Sequence, residues 1–129
     1  MKWFEDIHNY LVTNLPSNLN KNVFIYELPM GQSSPSILIL PPSAGVVNDK
    51  EISGFYKADF SVIVQDVDQE SAYDVAIVVM NTLTIRQKVS MNISTYKAIV
   101  PTTLPIVFPR LDSDNYEASV NFETYFTFN

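Results

Sequence analysis

One residue of the chain has the side chain most used in acid–base and metal chemistry, the single histidine His8. It lies between Ile7 and Asn9 of a predicted helix, and the chain has no cysteine. A zinc site needs several histidine or cysteine ligands, and thiolate chemistry needs a cysteine. We therefore predict a structural or solvated role for His8 and no metal centre.

The aspartates form two groups that resemble ligand clusters. Asp59 and Asp66 are seven residues apart on or near one predicted strand, so they should point to opposite faces. Asp66 and Asp68 are explained better as turn and helix-capping residues. The second group, Asp112 and Asp114, is typical of a turn and lacks the glycine that the sharp bend of a calcium loop requires.

Neither the glycines nor the glutamates form a catalytic motif. The three glycines, Gly31, Gly45 and Gly54, are too few to build a phosphate-cradling loop, and no GxSxG motif is present. Glu117 and Glu123 share one strand at a spacing of roughly 20 Å, which is too long for paired acid–base work. We predict no catalytic residue, no cofactor and no enzymatic activity.

Two amphipathic helices are predicted. Phe4 to about Leu15 has apolar residues at three- and four-residue spacing, with Asp6 in the first turn, where the helix dipole favours negative charge. A second helix runs from about Gln69 to Leu83. Ile77 and Val78 widen its apolar stripe beyond what a two-layer fold needs. They either pack against the first helix or form an interface.

The strongest strand pattern is the alternation from Asn115 to Phe128. A period of two over so many residues predicts a long strand with one buried face and one wet face. The polar face carries Glu117, Ser119, Asn121, Glu123 and Thr127. It suits a solvated sheet, or a sheet that lines a wet lumen or meets other subunits. Phe55 to Gln65 shows a similar alternation.

Shorter strands are predicted where β-branched and aromatic residues cluster between prolines. Because proline removes a ladder donor, Pro101, Pro105 and Pro109 favour short edge or bulged strands around them. The register between 86 and 109 stays open, and Arg110 to Asp114 is predicted as a turn. The predicted short strands are Val23 to Leu28, Ile37 to Leu40, Tyr96 to Val100 and Ile106 to Phe108, with an ambiguous segment at Thr84 to Asn92.

Ser43 to Gly54 shows no clear period and is predicted to be a loop of about a dozen residues. Loops of this length in a compact domain usually have a function. We expect this one to contact a neighbouring subunit, through Val46, Val47 and Ile52, although a surface loop with no partner is the alternative.

The order of elements predicts one α+β domain over residues 1–129, with a mostly antiparallel sheet and two helices packed on one face. The net charge of −6 argues against general binding to nucleic acid, which needs a basic surface. It does not argue against a protein that merely surrounds DNA.

Three segments resemble the tail terminator proteins of long-tailed bacteriophages, which are also catalogued as minor capsid or tail completion proteins. They are VFIYELP, FSVIVQDVDQESAYDVAIVVMNTL (Phe60 to Leu83) and YEASVNFETYF (Tyr116 to Phe126). The resemblance covers about Phe4 to Phe128 and is weakest between Arg86 and Pro109. The family has no catalytic residues to match.

The resemblance implies a structural protein of the virion tail or neck, assembled in the host cytoplasm, with no membrane association. It implies a homo-hexameric ring that caps the tail tube, stops its polymerisation and presents a surface to the head completion or connector protein. DNA would pass through the ring without sequence-specific binding. Glu117, Asn121 and Glu123 would then face the channel, and Val46, Val47, Ile52, Ile77 and Val78 would contact a subunit or the tube.

The competing hypothesis is a small-molecule-binding or regulatory α+β domain. Such a domain needs a concave apolar pocket with a few convergent polar groups. Aromatic strands can line a pocket, but no polar cluster that would fix a ligand is visible in the sequence.

Overall fold

The structure, a computed structural model, describes residues 2–27, 35–42, 45–52, 54–108 and 115–129. In these residues two helices cover an eight-stranded, largely antiparallel sheet, which confirms the predicted α+β class. The helices are α1 (Lys2–Asn14) and α2 (Gln69–Leu83), and the strands are β1 (Val23–Ile25), β2 (Ser36–Leu40), β3 (Val46–Asn48), β4 (Phe55–Asp66), β5 (Val89–Ser90), β6 (Ser94–Pro101), β7 (Ile106–Phe108) and β8 (Tyr116–Phe128).

Two long strands, β4 and β8, form the centre of the sheet. They pair antiparallel over twelve consecutive positions, from Phe55 opposite Thr127 to Asp66 opposite Tyr116. The predicted alternation is confirmed, because the even-numbered residues from Ala58 to Val64 and from Ala118 to Phe126 are buried. Their odd-numbered neighbours form the opposite face, which we call the outer face.

Each long strand is flanked by two short strands placed end to end. On the side of β4 that faces away from β8, β2 pairs with Ser61–Gln65 and β3 pairs with 56–58. On the far side of β8, β6 pairs with positions between 122 and 128, and β7 pairs with 117–119. β1 adds to β2 in parallel, and β5 adds to β6 antiparallel. Prolines stand at both breaks, since Pro41 and Pro42 follow β2, Pro101 is the last residue of β6, and Pro105 precedes β7.

Both helices pack on the buried face of the sheet. Trp3 of α1 stacks on Phe126 with ring centroids 4.7 Å apart, and Phe4 meets the edge of Phe60 at 5.9 Å. α2 lies over β4 and β8, and its first turn is capped by Asp68, whose side chain accepts a hydrogen bond from the Ser71 N–H at 3.1 Å. Each large apolar side chain buried in this layer contributes about 1.5–3 kcal/mol.

Four hydrogen bonds attach α1 to β6 and the residue before it. The Asp6 carboxylate is 4% exposed, and its Oδ2 accepts hydrogen bonds from Ile93 N, Ser94 N and Ser94 Oγ. The Tyr96 hydroxyl donates to the Trp3 carbonyl at 2.5 Å. The interpretation of Asp6 as a helix-dipole residue was therefore incomplete, because its main partners are 87 and 88 positions away in the chain.

The prediction of a plain loop over Ser43 to Gly54 was wrong at its centre. Val46–Asn48 forms β3, which pairs with β4, while residues 43, 44 and 53 lie outside the described part of the chain. The pattern is hidden because all three β3 side chains are exposed, so no alternation of buried and exposed residues marks the strand.

The proline-rich region was predicted more accurately. β6 carries an irregularity between Tyr96 and Ala98, which confirms a bulged strand, although β6 is longer than predicted and lies between β5 and β8. The ambiguous segment Thr84 to Asn92 contributes β5 and an isolated bridge from Ile85 to Ile99. The predicted turn at Arg110 to Asp114 lies outside the described residues.

Candidate assembly surfaces

The outer face of β4 and β8 is a polar surface held by hydrogen bonds between opposite residues. The Ser61 hydroxyl donates to Asn121 Oδ1 at 2.7 Å, and the Gln65 amide donates to Glu117 Oε2 at 2.8 Å. These pairs fix the side chains of two of the three residues predicted to face a channel. All three, Glu117, Asn121 and Glu123, share this face, as the sequence predicted.

The charges on this face are mostly negative. The outward-pointing residues of β4 and β8 include three carboxylates, Asp59, Glu117 and Glu123, and one amine, Lys57. Asp59 lies directly opposite Glu123, a like-charge arrangement that costs stability in a sheet. Lys57 relieves it, since its Nζ lies 3.5 Å from Glu123 Oε1. The Glu123 charge, and then Tyr125, raise the pKa of Lys57 above its ordinary value.

An open cleft of about 400 Å³ lies on the outer face at the level where the flanking strands break. Among the described residues, no buried side-chain polar atom lacks a hydrogen-bond partner, and no group of three or more histidine, cysteine, aspartate or glutamate residues is placed to hold a metal ion. The cleft combines polar and apolar side chains. Its lining consists of Leu40, Pro41, Asp59, Phe60, Ser61, Thr102, Asn121, Phe122 and Glu123.

The hairpin that joins β3 to β4 exposes apolar side chains to solvent. Val47 is 60% exposed and Ile52 is 59% exposed, with Val46 at 37%. Asp49 holds the turn, because its Oδ1 accepts hydrogen bonds from the backbone N–H groups of Glu51 and Ile52 at 2.8 and 2.9 Å. The Ile52 and then the Glu51 hydrogen bond keep the pKa of Asp49 below its ordinary value. These bonds present the predicted interface residues on an ordered hairpin.

A second exposed apolar surface lies at the opposite border of the sheet, and the sequence interpretation did not identify it. Leu104, Ile106 and Phe108 are all more than 40% exposed, although they lie in and beside β7. Their signal in the sequence is a run of large apolar residues between prolines, where an edge strand is expected. Apolar residues on an edge strand have fewer partners inside the fold than those on an inner strand.

Ile77 and Val78, the other two predicted interface residues, lie on α2 in the helical layer. Both are half-buried, and Val78 packs against the hydrophobic core. They are separate from the outer face, and α1 also contacts α2. Their role in an interface stays a prediction.

The outer face of β4 and β8 and the exposed apolar residues at two borders of the sheet are surfaces suited to contact with other molecules. Comparison with known families identifies the class, since the family described as bacteriophage tail terminator protein matches residues 3–128. The chain belongs to this family, which makes it a structural protein of the phage virion tail.

A solved structure supports the fold. A chain of the virion of a native gene transfer agent particle aligns with a TM-score of 0.72 at 14% identity, covering 95% of this chain and 92% of that one. No curated protein sequence matches the chain. No helix in the described residues has the length and apolar character needed to cross a membrane.

Proposed function

We propose that this protein caps the tail tube as a ring of identical subunits, stops tube polymerisation and offers the surface on which the head completion or connector protein docks. Family membership supports the general role, and the distribution of surface chemistry supports the arrangement. A closed ring of copies needs two different patches on each subunit, which meet head to tail. The proposed stoichiometry is six.

The outer face of β4 and β8 lines the channel in this proposal, and it is the observation that supports the function best. DNA carries one negative charge for about every 1.7 Å of its axis, so a basic wall would retain it. Glu117, Asn121 and Glu123 form a wall that is polar, wet and net negative. Six chains of net charge −6 would form an acidic ring through which DNA passes without binding.

The apolar residues of the β3 hairpin contact a neighbouring subunit or the tube in this proposal. Val47 and Ile52 are each about three-fifths exposed, which costs solvation free energy in an isolated chain. Ile77 and Val78 form a second proposed contact, on the helical layer.

Assembly is tested by measuring the solution mass at several concentrations by light scattering, with and without purified tail tubes, and by imaging the samples in negative stain. We expect a mass near six chains and a ring, either alone or at tube ends, and tubes that stop growing when the protein is added. Tubes that keep growing, with the protein monomeric and absent from their ends, would contradict the proposal. A monomer whose melting temperature rises with a metabolite would favour the ligand-binding hypothesis instead.

The channel assignment needs its own experiment. Glu117→Lys and Glu123→Lys, made together, replace two carboxylates of the proposed wall with amines that bind phosphate. We expect these rings to assemble on tubes while DNA delivery falls. Glu70→Lys on the exposed start of α2 makes a single charge reversal outside the wall, as the control. Unchanged delivery by assembled double-variant rings would remove the channel assignment and leave the capping role standing.

A further inference from the structure

We propose that the free edge of β3 in one copy pairs with the free edge of β7 in the next copy, so that the sheet continues from subunit to subunit. The inference rests on the proposed ring and adds the identity of the two surfaces that meet. Among the described residues, β3 pairs only with β4, and β7 only with β8. They therefore lie at opposite borders of the sheet, as a head-to-tail contact requires.

The other two border strands are protected in ways that β3 and β7 are not. α1 packs beside β1, and His8 Nε2 lies 3.0 Å from the Val23 carbonyl oxygen. β5 is only two residues long and follows the charged Lys88. Short length, charge and covering elements are the usual protections of sheet edges. β3 and β7 are also short, at three residues each, but in the described part of the chain they differ from β1 and β5 in carrying large apolar side chains that are exposed.

The backbone of β3 is oriented for an added strand. In an antiparallel pair, hydrogen-bonded and non-bonded residue pairs alternate. The Asp49 N–H donates to the Phe55 carbonyl at 2.9 Å, so Asp49 belongs to a bonded pair. Val46 and Asn48 then occupy the non-bonded positions. Their N–H and C=O groups point away from β4 towards the border.

The side chains select one register. Val47 lies opposite Lys57, and Ile106 lies opposite Ser119, so both belong to the outer face. Val46 and Val107 face the helical side, opposite Ala58 and Ala118. Placing Val47 beside Ile106 therefore places Val46 beside Val107 in an antiparallel ladder. This register gives an apolar pair on each face of the continued sheet.

The direction of the strands agrees with this ladder. β3 runs antiparallel to β4, β4 to β8, and β8 to β7, so β3 and β7 of one chain run in opposite directions. A second copy that is displaced sideways without being turned over therefore presents its β7 antiparallel to the first copy's β3. No reversal of the neighbour is needed.

The outline of the sheet also fits. β3 lies beside positions 56–58 of β4, and β7 lies at the level of 63–65, an offset of about seven residues or roughly 24 Å. At the border that contains β3, the neighbouring strand β2 carries one further strand, β1. At the border that contains β7, the neighbouring strand β6 carries one further strand, β5. β3 and β7 therefore each lie at a recess in the border of the sheet. A neighbour shifted by the offset fills both recesses without overlap between the described strands of the two copies.

Cysteine cross-linking tests the contact, because the chain has no native cysteine. Val47→Cys and Ile106→Cys are made in separate chains, mixed in equal amounts and oxidised, free in solution and bound to tail tubes. Cross-strand neighbours place Cβ atoms close enough for a disulfide. We expect a cross-linked dimer from the mixture, at a yield several-fold above that from either variant alone.

Two controls separate the ladder from random collision. Thr13→Cys on the exposed side of α1 replaces Val47→Cys as a distant position, and Asn48→Cys replaces it on the opposite face of the same strand. Both mixtures with Ile106→Cys should yield little dimer. Val46→Pro, which removes an outward-pointing N–H and none that faces β4, should reduce assembly and keep the circular dichroism spectrum of the parent.

The inference is overturned if the Val47→Cys and Ile106→Cys mixture cross-links no better than the two controls in either sample. If rings or capped tubes still form in that case, the capping function stands and the subunits meet through other surfaces. If neither rings nor capped tubes form, the light-scattering and negative-stain experiments contradict the proposed function. A dimer formed by Val47→Cys alone would also refute the ladder, since it would show a symmetric contact.

Discussion

The Asp6→Ala substitution tests whether a single buried carboxylate attaches α1 to the sheet. In the native chain Asp6 Oδ2 accepts hydrogen bonds of 2.9, 3.2 and 2.8 Å from two backbone N–H groups and one hydroxyl. Alanine would leave these donors without a partner in a site where the side chain is 4% exposed. The helix that carries Trp3 and Phe4 into the core would lose its attachment to the start of β6.

The expected loss is large for a domain of this size. Each buried donor left unsatisfied costs about 1–3 kcal/mol, and partial rearrangement of the turn around Ser94 will recover some of it. We therefore expect Asp6→Ala to lower the free energy of unfolding by about 3–5 kcal/mol, from a total that is typically about 5–15 kcal/mol. Asp6→Asn keeps one acceptor oxygen but loses the charge, and we expect a loss of about 1–3 kcal/mol.

Urea unfolding measures this change. Trp3 is the single tryptophan and stacks on Phe126, so its fluorescence reports the contact between α1 and the sheet, and far-UV circular dichroism reports the whole domain. Coincident transitions with the two probes would justify a two-state treatment. Asp74→Ala, at an exposed position on α2, is the control and should change stability by less than about 0.5 kcal/mol. Equal midpoints for Asp6→Ala and Asp74→Ala would refute the reasoning.

Two further predictions concern the sheet and the β3 hairpin. Phe122 is fully buried and stacks on Phe60 at 5.0 Å, so Phe122→Ala should cost about 3–5 kcal/mol of unfolding free energy, measured in urea. Asp49 has a folded pKa below its ordinary 3.8, so its contribution to the hairpin is present above the unfolded pKa and lost as pH falls through the folded one. The Glu51 and Ile52 amide resonances, followed by NMR, should titrate together below pH 3.8.

Matched variants make both predictions specific. Phe128→Ala removes the same ring from a position that is 49% exposed, and we expect it to cost about 1 kcal/mol or less. A similar cost at both positions would contradict the packing argument. Asp49→Asn keeps an acceptor oxygen for the turn and cannot titrate in this range. If the amide titration persisted in that variant, another group would be responsible for it.

The sequence was sufficient to predict the two long strands and both helices. In β8, a row that is apolar except at Thr124 is buried from Ala118 to Phe126, since hydrophobic burial outweighs other preferences in a long half-buried strand. The same regularity placed Glu117, Asn121 and Glu123 together on the outer face. The proposed position beside a channel is a property of the assembly, which no pattern within one chain determines.

The elements that could not be predicted are those whose partners are distant in sequence or outside the chain. Asp6 looks like a helix-dipole residue until β6 folds against it, because its three donors come from the turn at Ile93 and Ser94. β3 carries no buried residue and is specified by pairing with β4. Because the apolar residues of β3 are exposed, burial within one chain does not mark them in the sequence.

The prolines connect the local pattern to the proposed assembly. Without Pro41 and Pro42, the edge of β4 could carry one continuous flanking strand, and the same holds for β8 without Pro101 and Pro105. The sheet would then have two straight borders, with no recess beside β3 or β7. By ending each flanking strand early, the prolines leave short apolar edges at two diagonal corners. An edge of three residues is too short to pair stably with an arbitrary extended chain. In the proposed contact, a second copy of this chain fits it because its sheet has the same stepped border.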